Sequence, residues 1–199
     1  MRFFPHYVIA GFSNMYLFAD DATNEAALVD PGYFDAELLK LIESNRFTVT
    51  TVLVTHAHES HIAGIKTLLR IYDAKIYAFR EKVLDFPAVP VREGDVVGLG
   101  KLRVDVIETP GHSRDSLTFR VNNLLFTGDA ITAGLTGTAP HDQAHHLLLS
   151  SIRKKLLTLP DETLIFAGHG PPTRVRLERA HNVILNEMCS RARSSSSFF

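Results

Sequence analysis

The chain has one cysteine, Cys189, and no tryptophan in 199 residues. A lone cysteine cannot close an internal disulfide, so the chain is no disulfide scaffold and a reducing compartment is allowed. Neither sign of charge is in excess: 21 Lys+Arg against 22 Asp+Glu give a formal net charge of -1. With a pI near 6.8, that balance gives no support to nucleic-acid or anionic-membrane binding. No apolar run approaches the roughly 18 residues a membrane span needs. The opening MRFFPHYVIAGF carries one positive residue, and its apolar stretch is soon broken by Ser13 and Asn14, which makes a poor signal peptide. The expectation is a soluble cytoplasmic protein acting on a small molecule, without a nucleic-acid or membrane partner. Oligomeric state has no signal.

What is present reads as an ordinary globular chain, with 45% hydrophobic and 22% charged residues. The length suits one domain, expected over residues 1–190, with 191–199 a disordered tail that includes the serine run 194–197. Strands are expected at 7–10, 15–19, 26–29, 50–55, 75–79, 102–107, 117–121, 124–127 and 163–167, where runs are apolar, alternating or β-branched. Apolar residues at helical spacing predict helices over 34–42, 61–71, 143–157 and 174–188. Both halves thus carry β-runs followed by helices. This predicts an α/β fold of sheets covered by helices, a four-layer αββα sandwich.

Ten histidines are the one compositional oddity, and their placement matters more than their number. His56, His58 and His61 follow directly on the strand TTVLVT, and His56 and His58, two apart, can point the same way. The carboxyl ends of strands are where α/β sheets place their chemistry, and imidazole is a common ligand for zinc and iron. On this segment alone, a metal site and a solvated histidine-rich turn both remain open. Three further strand ends carry a ligand-type residue straight after a glycine: His112 in TPGHS, Asp129 in FTGDA and His169 in AGHGP. Each alone is an ordinary turn; together they converge on a metal centre. His145 and His146, after Asp142 as the expected N-cap, read as surface residues, as does His181.

In order and type, THAHESH, TPGHS, FTGDA and GHGPPT resemble the motifs of the metallo-β-lactamase superfamily. The stretch from Leu147 to Asn182, with SSIRKKL, TLPDET and GHGPP, is similar to the glyoxalase II-like (hydroxyacylglutathione hydrolase-like) branch. The resemblance runs from about Asp30 to Asn182. It implies the αββα fold, with His56, His58 and His112 on one metal ion, His61 and His169 on a second, and Asp129 bridging them. It also implies zinc, with iron or manganese as alternatives, and an Asp at position 30 close to the histidine cluster. The reaction implied is hydrolysis, in which a metal-bound hydroxide attacks a thioester or ester carbonyl, with Asp129 as the catalytic carboxylate.

Ser60 departs from the pattern, since the family has an Asp there that ligates the second ion. Without that carboxylate, two divalent ions with one hydroxide and Asp129 keep two net positive charges instead of one, and imidazoles neutralise nothing. The second site is therefore expected to be weak, with Ser60 a poor ligand at best and Glu59 pointing elsewhere. The helical C-terminal region of glyoxalase II is not expected here. Alternatives from other classes are a mononuclear iron persulfide dioxygenase and a non-catalytic metal-binding module; a lactonase or β-lactamase would keep hydrolysis and change the substrate.

Overall fold

A computed structural model describes residues 1–186. The last part of the helix expected to reach Met188, Cys189 and the tail expected at 191–199 lie outside the described residues. Alternation along the strands explains the architecture. In β2 (Ser13–Ala19), Met15, Leu17 and Ala19 join one apolar cluster, whereas Tyr16 and Phe18 join another. In β3 (Glu25–Val29), Ala26 and Leu28 face the first cluster, and Ala27 and Val29 the second. A strand whose two sets of side chains are both apolar must be covered on both faces.

The same holds in the second half. In β12 (Leu124–Gly128), Leu124 and Phe126 face the second cluster, while Leu125 faces a third. Three cores therefore separate four layers. The first core includes Leu38 and Ile42 of α1 (Ala36–Ser44) and Ile65 and Leu68 of α3 (Ile65–Leu68). The middle one lies between the sheets, with Phe18 and Phe126 stacked at 5.6 Å between ring centroids. The third includes Leu148 and Leu149 of α4 (Asp142–Ser151). Burying each such side chain contributes about 1.5–3 kcal/mol. This is the αββα sandwich expected.

The first sheet has the order β1-β2-β3-β4-β5-β8, with β1 Arg2–Val8, β4 Thr48–Leu53, β5 Lys75–Ala78 and β8 Val89–Pro90. The second has the order β16-β15-β12-β11-β10-β9, with β9 Val96–Leu99, β10 Leu102–Glu108, β11 Leu117–Val121, β15 Leu164–Ala167 and β16 Thr173–Arg174. Two small hairpins join β6 (Lys82–Val83) to β7 (Phe86–Pro87) and β13 (Ile131–Thr132) to β14 (Leu135–Thr136). The pairs β3–β4, β4–β5 and β12–β15 are parallel.

Several boundaries differ from expectation. The first strand begins at Arg2 rather than Tyr7, because pairing with β2 runs from Arg2↔Ala19 to Val8↔Ser13 and carries the polar residues along. The helix expected over 61–71 is two single turns, α2 (Glu59–Ile62) and α3, because the Gly64 N–H leaves the helical ladder to donate to the Pro31 carbonyl. Asp35 caps α1 by accepting from the Leu38 N–H at 2.7 Å, which moves its start to Ala36. The helix expected over 143–157 is α4 followed by a wider π-helical turn, Ile152–Leu156. The final helix, α5 (Val175–His181), gives way at Asn182, whose backbone is extended.

Candidate metal centre

The ligand-type residues all follow strand ends: Asp30 after β3, His56, His58 and His61 after β4, His112 after β10, Asp129 after β12, and His169 after β15. The structure brings them together in two clusters sharing Asp129. One comprises His56, His58, His112 and Asp129; the other comprises His61, Asp129 and His169. Within each, the donor atoms lie within 4.8 Å of one another. In the first, His56 Nε2 and His112 Nε2 lie 2.9 and 3.1 Å from His58 Nδ1, and 3.8 and 3.6 Å from Asp129 Oδ2. In the second, His169 Nε2 lies 3.6 Å from Asp129 Oδ2, and His61 Nε2 lies 3.5 Å from Oδ1. Tetrahedral ligands about 2.0–2.1 Å from a zinc ion stand roughly 3.3 Å apart, so these spacings fit.

Hydrogen bonds behind the rings turn the lone pairs inward. His112 Nδ1 donates to the Thr138 carbonyl and His169 Nδ1 to the Phe12 carbonyl, both at 2.8 Å, which leaves each Nε2 a free acceptor. Thr55 gives its hydroxyl proton to Asp30 Oδ2 at 2.6 Å, so its oxygen can accept from His56 Nδ1 at 3.1 Å. Asp30 is buried, and its other oxygen accepts the Thr55 N–H at 2.7 Å. Asp30 Oδ2 also lies 3.2 Å from His61 Nδ1, near enough for ion pairing though not aligned as a hydrogen bond. The second cluster holds three of the four buried side-chain polar atoms without a partner among the described residues: His61 Nδ1, His61 Nε2 and Asp129 Oδ1. Such atoms are rare in a folded interior, and a cation would satisfy His61 Nε2 and Asp129 Oδ1 together. The donor set fits a metal ion.

Electrostatics separates the clusters. Burial, reinforced by the nearby His61, holds the His56 imidazole at about 2, so it stays neutral. Partial loss of hydration and His112 lower His58 as well. Burial also opposes charge on His61, but Asp30 and Asp129 outweigh it and lift that imidazole to about 10. Burial would raise Asp129, yet contact with His61 wins and holds it at about 2.

Two glycines allow this approach. Gly128 has φ +50°, and a Cβ there would stand 2.3 Å from Thr55 Oγ1. A Cβ on Gly168 would stand 2.4 Å from Asp129 Oδ1. Outside the clusters, Glu59 is exposed, and Ser60 faces the β1–β2 loop, where a Cβ on Gly11 would be 3.3 Å from its own. His146 and His181 are exposed and His145 half-buried, all outside the clusters. The cap of α4 is His141, not Asp142: its side chain accepts the Ala144 N–H, and Asp142 is the first helical residue. Sequence reasoning missed the carbonyls of Phe12 and Thr138 that orient two rings, since a backbone carbonyl leaves no sequence mark. It also missed Tyr16, whose hydroxyl donates to the Ala167 carbonyl at 2.5 Å and braces the loop carrying His169.

Two apolar-packed sheets with imidazoles and one shared carboxylate at their strand ends define an αββα protein with a metal-binding site. Residues 8–169 match the model of the Metallo-beta-lactamase superfamily, and the chain belongs to that superfamily. The match begins at Val8, the last residue of β1, so it takes in β2 and β3 upstream of Asp30, and it ends at His169. The hydroxyacylglutathione hydrolase GloC of Haemophilus influenzae is 29% identical over 203 residues, covering 90% of this chain and 95% of that protein. The hydroxyacylglutathione hydrolase of Psychromonas ingrahamii is 32% identical over 157 residues, which is 78% of this chain and 60% of that longer protein. Among solved structures, ETHE1 from Myxococcus xanthus superposes with a TM-score of 0.85 at 31% identity, covering 94% of this chain and 85% of that one.

Proposed function

We propose that the chain is a metal-dependent hydrolase of thioesters or related esters, glyoxalase II-like. In this reading His56, His58 and His112 hold a first ion with Asp129, and His61 and His169 hold a second, weaker one with the same carboxylate. The observation that carries it is the convergence of five imidazoles and Asp129 on two clusters, with His61 Nε2 and Asp129 Oδ1 of the second buried and otherwise unpartnered. When bound, a divalent ion supplies Lewis acidity to a water, lowering its pKa towards about 7, and to a substrate carbonyl. The chain does the rest. His56 and His58 stay neutral and keep their lone pairs available. The Phe12, Thr138 and Thr55 contacts fix three rings. Asp129 turns Oδ2 to His56, His112 and His169 and Oδ1 to His61, and so joins the two clusters. Asp30 orients His61, and Ser60 is at best a weak ligand. We assign zinc first, with iron or manganese as alternatives, a small-molecule substrate, and work in the cytoplasm. The similarity to GloC, which this chain matches over almost its whole length, supports the thioester assignment.

A second reading, mononuclear iron persulfide dioxygenase, is favoured by the inequality of the two clusters: four ligand-type residues against three, with Ser60 supplying no carboxylate. Elemental analysis and a substrate panel on one preparation separate the readings. The hydrolase reading predicts thiol release from S-lactoylglutathione. Iron together with oxygen consumption on a persulfide would replace it. Bound metal with neither activity, nor turnover of esters and lactones, would leave a metal-binding module.

A further inference from the structure

One buried carboxylate lies outside both clusters: Glu178 of α5, 2% exposed. Among the described residues no cation pairs with it, and its partners are neutral donors. The Thr173 hydroxyl donates to Oε1 at 2.6 Å and the Asn182 amide to Oε2 at 2.7 Å. The Gly134 N–H is shared between the two oxygens, 3.1 Å from each. Burying a carboxylate without a counter-charge is costly, and an apolar side chain would join a helix to a hairpin without that cost. What the carboxylate adds is direction. Gly134 sits in the turn of the β13–β14 hairpin, with φ +80°. The end of α5 grips that turn at three backbone groups. Glu178 takes the Gly134 N–H, the Val183 N–H donates to the Gly134 carbonyl at 3.2 Å, and the buried Asn182 amide donates to the Leu135 carbonyl at 2.9 Å. Among the described residues no other hydrogen bond ties Gly134 or Leu135 to anything outside the hairpin, and the Leu135 side chain is exposed. The other end of the hairpin reaches the metal centre. Its base is closed by the Gly137 N–H donating to the Ala130 carbonyl at 3.2 Å. Next to Ala130 stands Asp129, common to both clusters. Next to Gly137 stands Thr138, whose carbonyl accepts the Nδ1–H of His112. Gly137 lies so close to the Asp129 carbonyl that a Cβ would not fit. A shift at the turn therefore reaches the carbonyl behind His112 within four residues.

We propose that Glu178 and Asn182 are positioning residues for the first metal ion: through the β13–β14 hairpin they aim the Thr138 carbonyl and so hold the His112 ring. This rests on the reading of His112 as a ligand of the first ion, and not on the reaction performed there. Asp129 serves both ions, but Thr138 supports His112 alone, so loosening the hairpin should cost the first ion more than the second. In Glu178→Gln an N–H group replaces an acceptor and meets the donors already there. Asn182→Ala removes the grip on Leu135. Thr173→Val takes a partner from the same carboxylate and leaves the hairpin contacts in place. The first measurement is zinc affinity on the full chain, by competition with a chelator. Glu178→Gln and Asn182→Ala should weaken the first ion about tenfold or more, with a smaller loss at the second and little change in Thr173→Val. The second is the solvent exchange of the His112 Nδ1–H, followed by NMR with and without zinc. It should quicken about tenfold or more in the first two variants and stay near the wild-type rate in Thr173→Val. If Glu178→Gln fails to fold, Asn182→Ala decides. Equal losses at both ions, a loss in Thr173→Val as large as in Glu178→Gln, or unchanged exchange in Asn182→Ala overturns the proposal. A wild type that binds no zinc removes the ligand reading, and exchange in the metal-free protein then decides the positioning role alone.

Discussion

The two clusters share Asp129 yet are built on opposite electrostatic terms. In the first, His56 and His58 are held neutral, so a cation can enter without displacing a proton from either. In the second, His61 sits between Asp30 and Asp129 and is held protonated at neutral pH. A cation entering there must displace that proton, and it meets one carboxylate and two imidazoles. In the proposed reading, ligand number, charge and proton cost all make the first site the stronger of the two.

Changing the shared residue gives the largest effect. Asp129→Ala should strip both sites, and activity should fall by more than the roughly 100-fold seen when residues merely supporting ligands are lost; metal content and turnover measured together check this. A loss confined to one equivalent would mean that the clusters do not share their carboxylate. Next in size is Asp30→Asn, which removes the charge behind His61 and keeps the shape. Affinity for the second ion should change about 10–100-fold while the first changes less, read by competition with a chelator. Equal effects on both would break the contrast.

Ser60→Asp sharpens it from the other side. A carboxylate added next to His61 should raise occupancy of the second ion towards a full equivalent. The side chain faces Gly11, so no change in occupancy would show that the backbone there aims the residue away from the ion.

The smallest expected effect is the pH dependence of the metal-free protein. His61, raised to about 10, contributes stability that is complete below its unfolded value near 6.5 and is lost progressively as pH climbs to 10. His56, lowered to about 2, acts oppositely: below 6.5 the unfolded chain takes up a proton that the native ring refuses, so stability falls as pH drops. Asp129, held at about 2, keeps its contribution above its ordinary 3.8 and loses it only as pH falls to 2. Thermal unfolding of metal-free protein should therefore peak near pH 6–7 and decline on both sides. A melting temperature flat from pH 6.5 to 10 would contradict the charged state of His61.

Much of this was legible in the sequence because the relevant signals are local. TTVLVT reads as a strand buried on both faces, and its end places His56 and His58. A glycine before each of His112, Asp129 and His169 marks a strand end closing into a turn. The αββα layering follows from apolar residues on both faces of β2, β3 and β12, whereas the register that starts β1 at Arg2 depends on its partner and has no signal of its own. The split of the expected 61–71 helix is set by one hydrogen bond to Pro31, a contact 33 residues away. The carbonyls behind His112 and His169 come from Thr138 and Phe12, distant in sequence and silent in side-chain chemistry. The unequal charge of the clusters was half visible: Ser60 announced a missing carboxylate, but the ion pairing of His61 with Asp30 needs coordinates.

The most direct test is a titration of chelated, metal-free protein with zinc at pH 7, following bound equivalents and protons released. The account predicts a first equivalent bound tightly and a second bound at least tenfold more weakly, with about one proton displaced from His61 in the second step only. Two equivalents of equal affinity, or a first step that releases that proton, would contradict it.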